Sequence, residues 1–113
     1  MSDCLFCSIV SGEIPADVVL RTESVVAFRD IDPKAPTHVL VIPVQHVSTA
    51  AELGSVAPEI MGELAAAAGA VAEMEGLADG YRLVFNTGPD AGQSVLHLHG
   101  HVLGGRSLTW PPG

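Results

Sequence analysis

The segment that most constrains the fold is His97-Leu98-His99-Gly100-His101-Val102-Leu103, which holds three of the chain's five histidines. In a β-strand alternate side chains point to the same face, so these imidazoles would form a row about 6 to 7 Å apart. On a helix the middle histidine would point away from the other two. The segment is short, contains a β-branched valine and is followed by two glycines, which favours a strand.

Three imidazoles on one face indicate a chemical site. Close to neutral pH an imidazole can act as a neutral nucleophile or, when charged, bind an anion. Packing alone does not explain three histidines at a strict period of two, so we expect a site that handles a phosphoryl or acyl group. The segment alone leaves a zinc hydrolase open, since such histidines can also hold a Zn²⁺ with one position open to water.

Composition and charge limit the class of protein. At 113 residues the chain can form one compact domain, residues 1–113, and 48% apolar residues suffice for a core of small aliphatic side chains. No apolar run could cross a bilayer and the start lacks the basic region of a secretory signal, so we expect a cytoplasmic protein without a membrane partner. A formal net charge of −8 disfavours binding along DNA or RNA, but local N–H groups can still hold one mononucleotide phosphate.

The apolar pattern predicts an α+β fold, with a five-stranded antiparallel sheet and one long and one short helix. The expected strands cover residues 18–21, 24–30, 37–43, 81–87 and 97–103. Residues 4–10 predict the short helix. Residues 56–75 predict the long one, with Ser55 as its N-cap, Pro58 in its first turn and Gly76 at its end. We expect the long helix to pack on one face of the sheet.

Polar residues precede the histidine segment and could help to bind an anion. Asn86 ends the fourth predicted strand and faces the same space. Gly92, Gln93 and Ser94 supply a flexible backbone, an amide and a hydroxyl just before the histidines. A turn of this kind can point successive N–H groups at a phosphate. The loop therefore predicts a phosphate cradle beside the imidazoles.

A second group of residues has the chemistry of a structural metal site. Cys4, Cys7, His46 and His97 together offer two thiols and two imidazoles, which would satisfy a tetrahedral Zn²⁺ with no open position. In that case His97 is a metal ligand, and His99 and His101 remain for chemistry. The alternative is that the two cysteines are small buried residues on a short helix.

The chain resembles the histidine triad (HIT) superfamily of nucleotide hydrolases and transferases. The resemblance begins with the spacing of His97, His99 and His101 and extends over nearly the whole chain. It is similar to the branch of histidine triad nucleotide-binding proteins, which are purine nucleoside phosphoramidases. The segments that carry the resemblance are Phe28-x-Asp30-Ile31-x-Pro33-x-Ala35-Pro36-Thr37-His38, Val41-Ile42-Pro43-x-x-His46, Gly80-Tyr81-Arg82, Gly92-Gln93-Ser94-Val95, Leu103-Gly104-Gly105-Arg106 and Trp110-Pro111-Pro112-Gly113.

The resemblance implies a single HIT domain and a homodimer whose two sheets join into one, with Trp110 approaching the partner subunit's site. It implies that His99 attacks the α-phosphorus of an adenosine or guanosine phosphoramidate and forms a nucleotidyl-histidine that water hydrolyses. Catalysis would need no metal, and the resemblance leaves open whether Cys4, Cys7, His46 and His97 bind a structural zinc. A dinucleoside polyphosphate hydrolase of the same superfamily and a nucleotide-binding scaffold with incidental turnover remain the alternatives.

The resemblance also implies roles for individual residues. His97, His38 and Ser94 would assist His99 and His101 in catalysis, with His38 tuning the triad. The nucleotide-binding residues would be Asp30 at the ribose and Ile31, Leu5, Phe6 and Ile9 around the base, with Asn86, Gly92, Gln93, Ser94, His99 and His101 around the phosphate. Gly100 stands where the signature has a large apolar residue, so we expect the neighbouring helix to come closer or leave a gap there.

Overall fold

The computed structural model describes residues 3–113 and confirms the predicted α+β class with a five-stranded antiparallel sheet. The strand order is β1-β2-β3-β5-β4, so β1 and β4 lie at the edges. No helix in the described part of the chain is long and apolar enough to cross a membrane. The elements are α1 (Leu5–Ser11), β1 (Val18–Arg21), β2 (Val25–Arg29), β3 (Thr37–Pro43), α2 (Ala50–Val56), α3 (Pro58–Met74), β4 (Tyr81–Phe85) and β5 (Gly100–Gly104), with a 3-10 turn at Pro89–Ala91.

The two faces of the sheet are covered by different helices. Because side chains alternate along each strand, the strands present one buried set to each face. The larger cluster packs against α2 and α3 and includes Val25, Ala27, Val39, Val41, Val102, Leu53, Leu64, Ala68 and Val71. The smaller cluster packs against α1 and includes Phe6, Ile9, Val26, Phe28, Leu40 and Ile42. His101 pairs with Leu40 across β3 and β5, which places it on the α1 face.

The short helix α1 begins and ends close to the predicted residues. Cys4 is its N-cap, and its Sγ accepts the N–H of Cys7 at 3.4 Å. Gly12 ends the helix with φ 86°, a conformation that costs glycine little. The Gly12 N–H donates to the carbonyl of Ile9 at 3.2 Å. A helix of seven residues is therefore closed at both ends by its own sequence.

The long helix predicted at residues 56–75 is α3, Pro58–Met74, and a further helix, α2, precedes it, so Ser55 lies inside α2 and not at a cap. The two helices are separated at Ala57, which has φ −150° and ψ 67°. Ala57 precedes Pro58, and helical backbone angles are disfavoured for the residue before a proline. The predicted first-turn position of Pro58 is confirmed. The earlier helix was missed although Thr49 caps it, accepting the N–H of Glu52 at 3.1 Å.

The predicted histidine strand at residues 97–103 is shorter in the structure, where β5 begins only at Gly100. The preceding residues bond to the loop after β3 and not to a ladder. The Leu98 N–H donates to the carbonyl of Val47 at 2.7 Å, and the His97 ring bonds to the carbonyl of Pro43 at 2.9 Å. These bonds draw the chain away from the sheet, so only His101 of the three histidines lies in a strand.

Gly100 leaves neither a gap nor a closer helix, which corrects the expectation from its sequence. A Cβ at this position would lie 2.8 Å from Cε1 of Phe85 and 3.0 Å from Cδ1 of Leu83. Phe85 is the residue opposite Gly100 in the β4–β5 pair, so both side chains come from the neighbouring strand. The space above Gly100 is thus filled by β4.

We expect Gly100→Ala to lower the free energy of unfolding by roughly 1 to 3 kcal/mol, because the added methyl group would overlap the packed, partly buried ring of Phe85. Gly62→Ala is the matched control, since Gly62 lies in α3 with nothing within 4 Å of the added Cβ. The control should gain roughly 0.5 to 1 kcal/mol from helix propensity. Urea unfolding of both variants measures the difference, and equal effects would contradict this account of Gly100.

Candidate active site

The His99 ring is held in one orientation and one tautomer. Its Nδ1–H donates to the main-chain carbonyl of His97 at 2.8 Å, because a carbonyl can only accept. In a neutral ring this leaves the proton on Nδ1 and a lone pair on Nε2. The ring is buried, with 9% of the residue exposed, and the ring of Phe6 meets it edge to face at 4.9 Å. In the neutral ring Nε2 is therefore the lone-pair nitrogen, held in one orientation.

The hydrogen bonds of a second pair of histidines define where their protons lie. The Lys34 N–H donates to Nδ1 of His38 at 3.0 Å, so the proton of a neutral His38 is on Nε2. Nε2 of His38 lies 2.8 Å from Nδ1 of His101 and donates to it. The proton of His101 must then lie on its own Nε2. A lone pair on His99 thus stands beside an N–H donor on His101, with the two rings 5.0 Å apart.

Burial keeps the two supporting histidines uncharged at neutral pH. Burial first, and then the neighbouring His99 and His38, lower the pKa of His101 to about 4. Burial also lowers the pKa of His38, although the carboxylate of Asp30 acts in the opposite direction. Oδ2 of Asp30 lies 3.5 Å from Nε2 of His38. The assigned tautomers require these neutral rings.

A cavity of about 720 Å³ opens beside His99 and His101. This volume lies in the range of small-molecule sites. Its wall is mostly apolar, and the described side chains that line it include the predicted residues Leu5, Phe6, Ile9, Asp30, Ile31 and Ser94. The structure therefore brings eight of the predicted binding residues, counting the two histidines, to one cavity.

Three residues predicted to surround the phosphate are placed differently. Asn86 lies on a smaller adjoining cavity of about 320 Å³, which shares His101 and Asp30 with the first. The side chain of Gln93 holds the loop: its amide donates to the carbonyl of Ser48 at 2.7 Å, and its oxygen accepts the N–H of Gly88 at 3.0 Å. Gly92 ends the 3-10 turn with φ 85°.

Sequence reasoning missed part of the apolar wall. Phe28 and Leu40 are buried in the α1 cluster and line the cavity, together with Ile14 and Val95. Strand alternation could have placed Leu40 on the same face as His101, since the two residues face each other in the register. No local pattern could have found Ile14, because it approaches the cavity from the turn after α1.

The four predicted metal ligands converge on one point. Cys4, Cys7, His46 and His97 each offer a donor atom, and these atoms lie within 4.8 Å of one another. Nδ1 of His97 is 3.4 Å from Sγ of Cys4, 3.5 Å from Sγ of Cys7 and 3.2 Å from Nδ1 of His46. Nitrogen and sulfur ligands of a tetrahedral Zn²⁺ lie about 3.3 to 3.7 Å apart, given its bond lengths.

The surroundings also fit a closed zinc site. The Nε2–H of His97 donates to the carbonyl of Pro43, which leaves Nδ1 for a metal. Two thiolates and two imidazoles fill a tetrahedron, so a bound Zn²⁺ would act structurally. Asp30, His38 and His101 form the other donor group among residues 3–113, but the donor nitrogens there are joined to each other and to Lys34 by hydrogen bonds.

A five-stranded antiparallel sheet with three clustered histidines at its centre defines the histidine-triad class of proteins. The family model of the HIT domain matches residues 11–108, and the chain belongs to this family. The 14 kDa zinc-binding protein of Zea mays is 49% identical over 114 residues, which cover 99% of this chain and 89% of that protein. The predicted resemblance is therefore confirmed.

Two further comparisons agree with the family. Adenylylsulfatase HINT1 of Arabidopsis thaliana is 45% identical over 117 residues, covering 99% of this chain and 78% of that protein. The crystal structure of a HIT family hydrolase from Legionella pneumophila has a TM-score of 0.94 and 49% identity, and the match covers 98% of this chain and 100% of that one. The likeness thus extends over the whole fold.

The lowered pKa of His101 predicts a loss of stability in mild acid. The unfolded chain takes up a proton near pH 6.5 and the folded ring only near pH 4, so the contribution of the neutral ring is complete above pH 6.5 and is lost below it. Allowing for the partly exposed ring, we expect this to cost roughly 1 to 2 kcal/mol of unfolding free energy. Urea unfolding at pH 7 and pH 4.5 measures it.

His101→Asn is the reference for this measurement, because the amide does not titrate and the carboxylates are common to both proteins. The stability advantage of the wild type over His101→Asn should shrink as the pH falls from neutral toward pH 4. An advantage that stays constant would show that His101 has an ordinary pKa in the folded protein.

Proposed function

We propose that this protein is a hydrolase that cleaves the P–N bond of purine nucleoside 5'-phosphoramidates through a nucleotidyl intermediate on His99. The fixed Nε2 lone pair of His99 at the wall of a nucleotide-sized cavity carries the proposal. In the neutral ring this nitrogen already carries a lone pair, so the attack needs no general base. The family membership and the hydrolases among the relatives support the reaction class.

The reaction would proceed in two displacements. Nε2 of His99 forms a bond to the α-phosphorus, while the leaving nitrogen takes the electron pair of the P–N bond and a proton from solvent. The ring in the adduct is cationic, and the carbonyl of His97 stabilises its Nδ1–H. Water then attacks phosphorus, His99 leaves with its electron pair, and the nucleoside monophosphate and a proton are released.

Neighbouring groups would stabilise the charge that develops on the phosphoryl oxygens. The Nε2–H of His101 is a preorganised donor, because His38 fixes the other side of its ring. The hydroxyl of Ser94 lines the same cavity. Gln93 would act through the loop that it holds, since its amide is bonded to main-chain carbonyls. Asn86 lies on the adjoining cavity, where we propose that the amine leaves.

The nucleoside would occupy the rest of the cavity. Its apolar wall, which includes Phe6, Ile9 and Phe28, suits the face of a purine ring. The carboxylate of Asp30 also lines the cavity and can accept hydrogen bonds from the ribose hydroxyls. Oδ1 of Asp30 accepts the N–H of Asp32 at 2.8 Å, which fixes the direction of the carboxylate.

An adenylyl sulfate is the second candidate substrate, because the Arabidopsis relative is named an adenylylsulfatase. The nucleophile, the nucleotide half and the intermediate would be the same, and only the leaving group would differ. Sulfate leaves without a proton, whereas an amine requires one. Comparing turnover of adenosine phosphoramidate, adenylyl sulfate and a diadenosine polyphosphate identifies the leaving group.

The proposal includes a homodimer in which the two sheets join. β4 is an edge strand in the described chain, and an unpaired edge is a template for another strand. Tyr81 on this strand and Trp110 in the tail are large and exposed, at 43% and 80%. A second copy of the chain would cover such groups, and Trp110 would lie near the partner's cavity.

Trapping the intermediate tests the reaction. We expect a mass increase of one nucleoside monophosphate after brief mixing with adenosine phosphoramidate and acid quenching, and tandem mass spectrometry should place it on His99. His99→Ala should form no adduct and lose about a thousandfold or more in kcat, because the nucleophile is gone. Leu96→Ala, which changes an exposed side chain nearby, is the control and should retain both adduct formation and kcat. An adduct on another residue would refute the proposal.

We also propose that Cys4, Cys7, His46 and His97 bind structural zinc, as their mutual distances and the zinc-binding maize relative support. Metal analysis of the purified protein should find about one Zn²⁺ per chain. His46→Ala should reduce this content, because it removes one of four ligands, and Gln45→Ala at the adjacent exposed position should not. Equal zinc in both variants would place the metal elsewhere.

A further inference from the structure

Helix α1 joins the metal centre to the cavity. Its N-cap, Cys4, and its third residue, Cys7, supply two of the donor atoms. Between them Leu5 and Phe6 line the cavity. The Phe6 ring contacts the ring of His99 edge to face at 4.9 Å. The same turn of helix therefore offers thiols on one side and holds His99 on the other.

A second connection runs through His97. Its ring is completely buried, and Nδ1 faces the other three donor atoms while Nε2–H bonds to Pro43. Its main-chain carbonyl accepts the Nδ1–H of His99. One residue thus contributes its side chain to the metal centre and its backbone to the tautomer of His99.

Both connections run through parts of the chain that lie outside the hydrogen-bonded ladders of the sheet. A helix of seven residues is too short to be stable by itself in water. The segment that contains His97 and His99 precedes β5 and makes no ladder with the sheet. By contrast, His38 and His101 lie in paired strands. Four covalent attachments to one metal ion would therefore fix the region around His99 far more than the region around His101.

We propose that the metal centre of Cys4, Cys7, His46 and His97 positions the nucleophile, so that these four side chains are positioning residues for His99. With the metal bound, α1 and the carbonyl of His97 hold the His99 ring with Nε2 facing the cavity. Without it, the ring loses its single tautomer and its orientation. The part of this inference that concerns turnover rests on the proposed reaction at His99, whereas the part that concerns the ring does not.

Reversible removal of the metal from the whole protein tests this without a mutation. The zinc-loaded protein is treated with a chelator, measured, and then reloaded with Zn²⁺. Nitrogen-15 NMR of the histidine rings, in protein without nucleotide, reports each tautomer. We expect the metal-free protein to lose the single Nδ1–H signature of His99 and to keep the signatures of His38 and His101. Reloading with Zn²⁺ should restore the Nδ1–H signature of His99.

Turnover supplies the second measurement. The metal-free protein should lose about tenfold to a hundredfold in kcat, because a displaced reactive group loses the geometry of attack. If no zinc-loaded preparation hydrolyses any of the three nucleotides, the proposed reaction is wrong, and the NMR result still decides whether the metal orients His99. A metal-free protein that keeps the single tautomer of His99 overturns the inference. Simultaneous loss of the His38 and His101 signatures also overturns it, since it would show general unfolding.

Phe6→Leu separates the two connections, because it keeps all four donor residues and removes the ring that contacts His99. We expect this variant to bind zinc normally, to keep the Nδ1–H bond to His97 and to lose a smaller part of kcat than metal removal does. Ser11→Ala, at the end of the same helix and outside both the donor set and the cavity lining, is the matched control. Equal kcat in Phe6→Leu and Ser11→Ala would show that α1 does not position His99. The connection through the His97 carbonyl would then be the one that acts.

Discussion

The hydrogen bond from Nδ1–H of His99 to the carbonyl of His97 is the contact on which the chemistry depends. A neutral imidazole has one lone-pair nitrogen, and this bond decides that it is Nε2. The bond forms because residues 97–99 leave the sheet and bend toward the loop after β3. In a regular strand that carbonyl would point along the ladder and would not meet the side chain two residues on.

The two faces of the sheet divide stability and function. The face beneath α2 and α3 is closed by aliphatic side chains, and even Gly100 is covered by Phe85 and Leu83. The face beneath α1 is only partly closed, because α1 is two turns long. The remaining area of that face is the cavity, where a mostly apolar wall meets His99 and His101. A rigid layer on one side thus supports an open site on the other.

Local sequence patterns predicted most of the fold. The continuous apolar run within Thr37–Pro43 located β3 correctly, and Gly12 marked the end of α1. The patterns failed where a local signal competed with a longer one. Apolar spacing located α3 but started it two residues too early, before Ala57 and Pro58, and α2 was missed because Thr49 was overlooked as a cap. The row of histidines suggested a longer strand, because periodicity cannot show where ladder hydrogen bonds stop.

The sequence by itself determined which chemical groups this protein has and the class of fold that carries them, since strand alternation and helix caps act over a few residues. It also placed two thiols and the histidines as candidate ligands and nucleophile. Only the tertiary structure decided where the protons lie on His99, His38 and His101. It also decided that the amide of Gln93 bonds to the carbonyl of Ser48. These hydrogen bonds join residues up to 63 positions apart in the chain, and a local sequence pattern cannot show which distant residues meet.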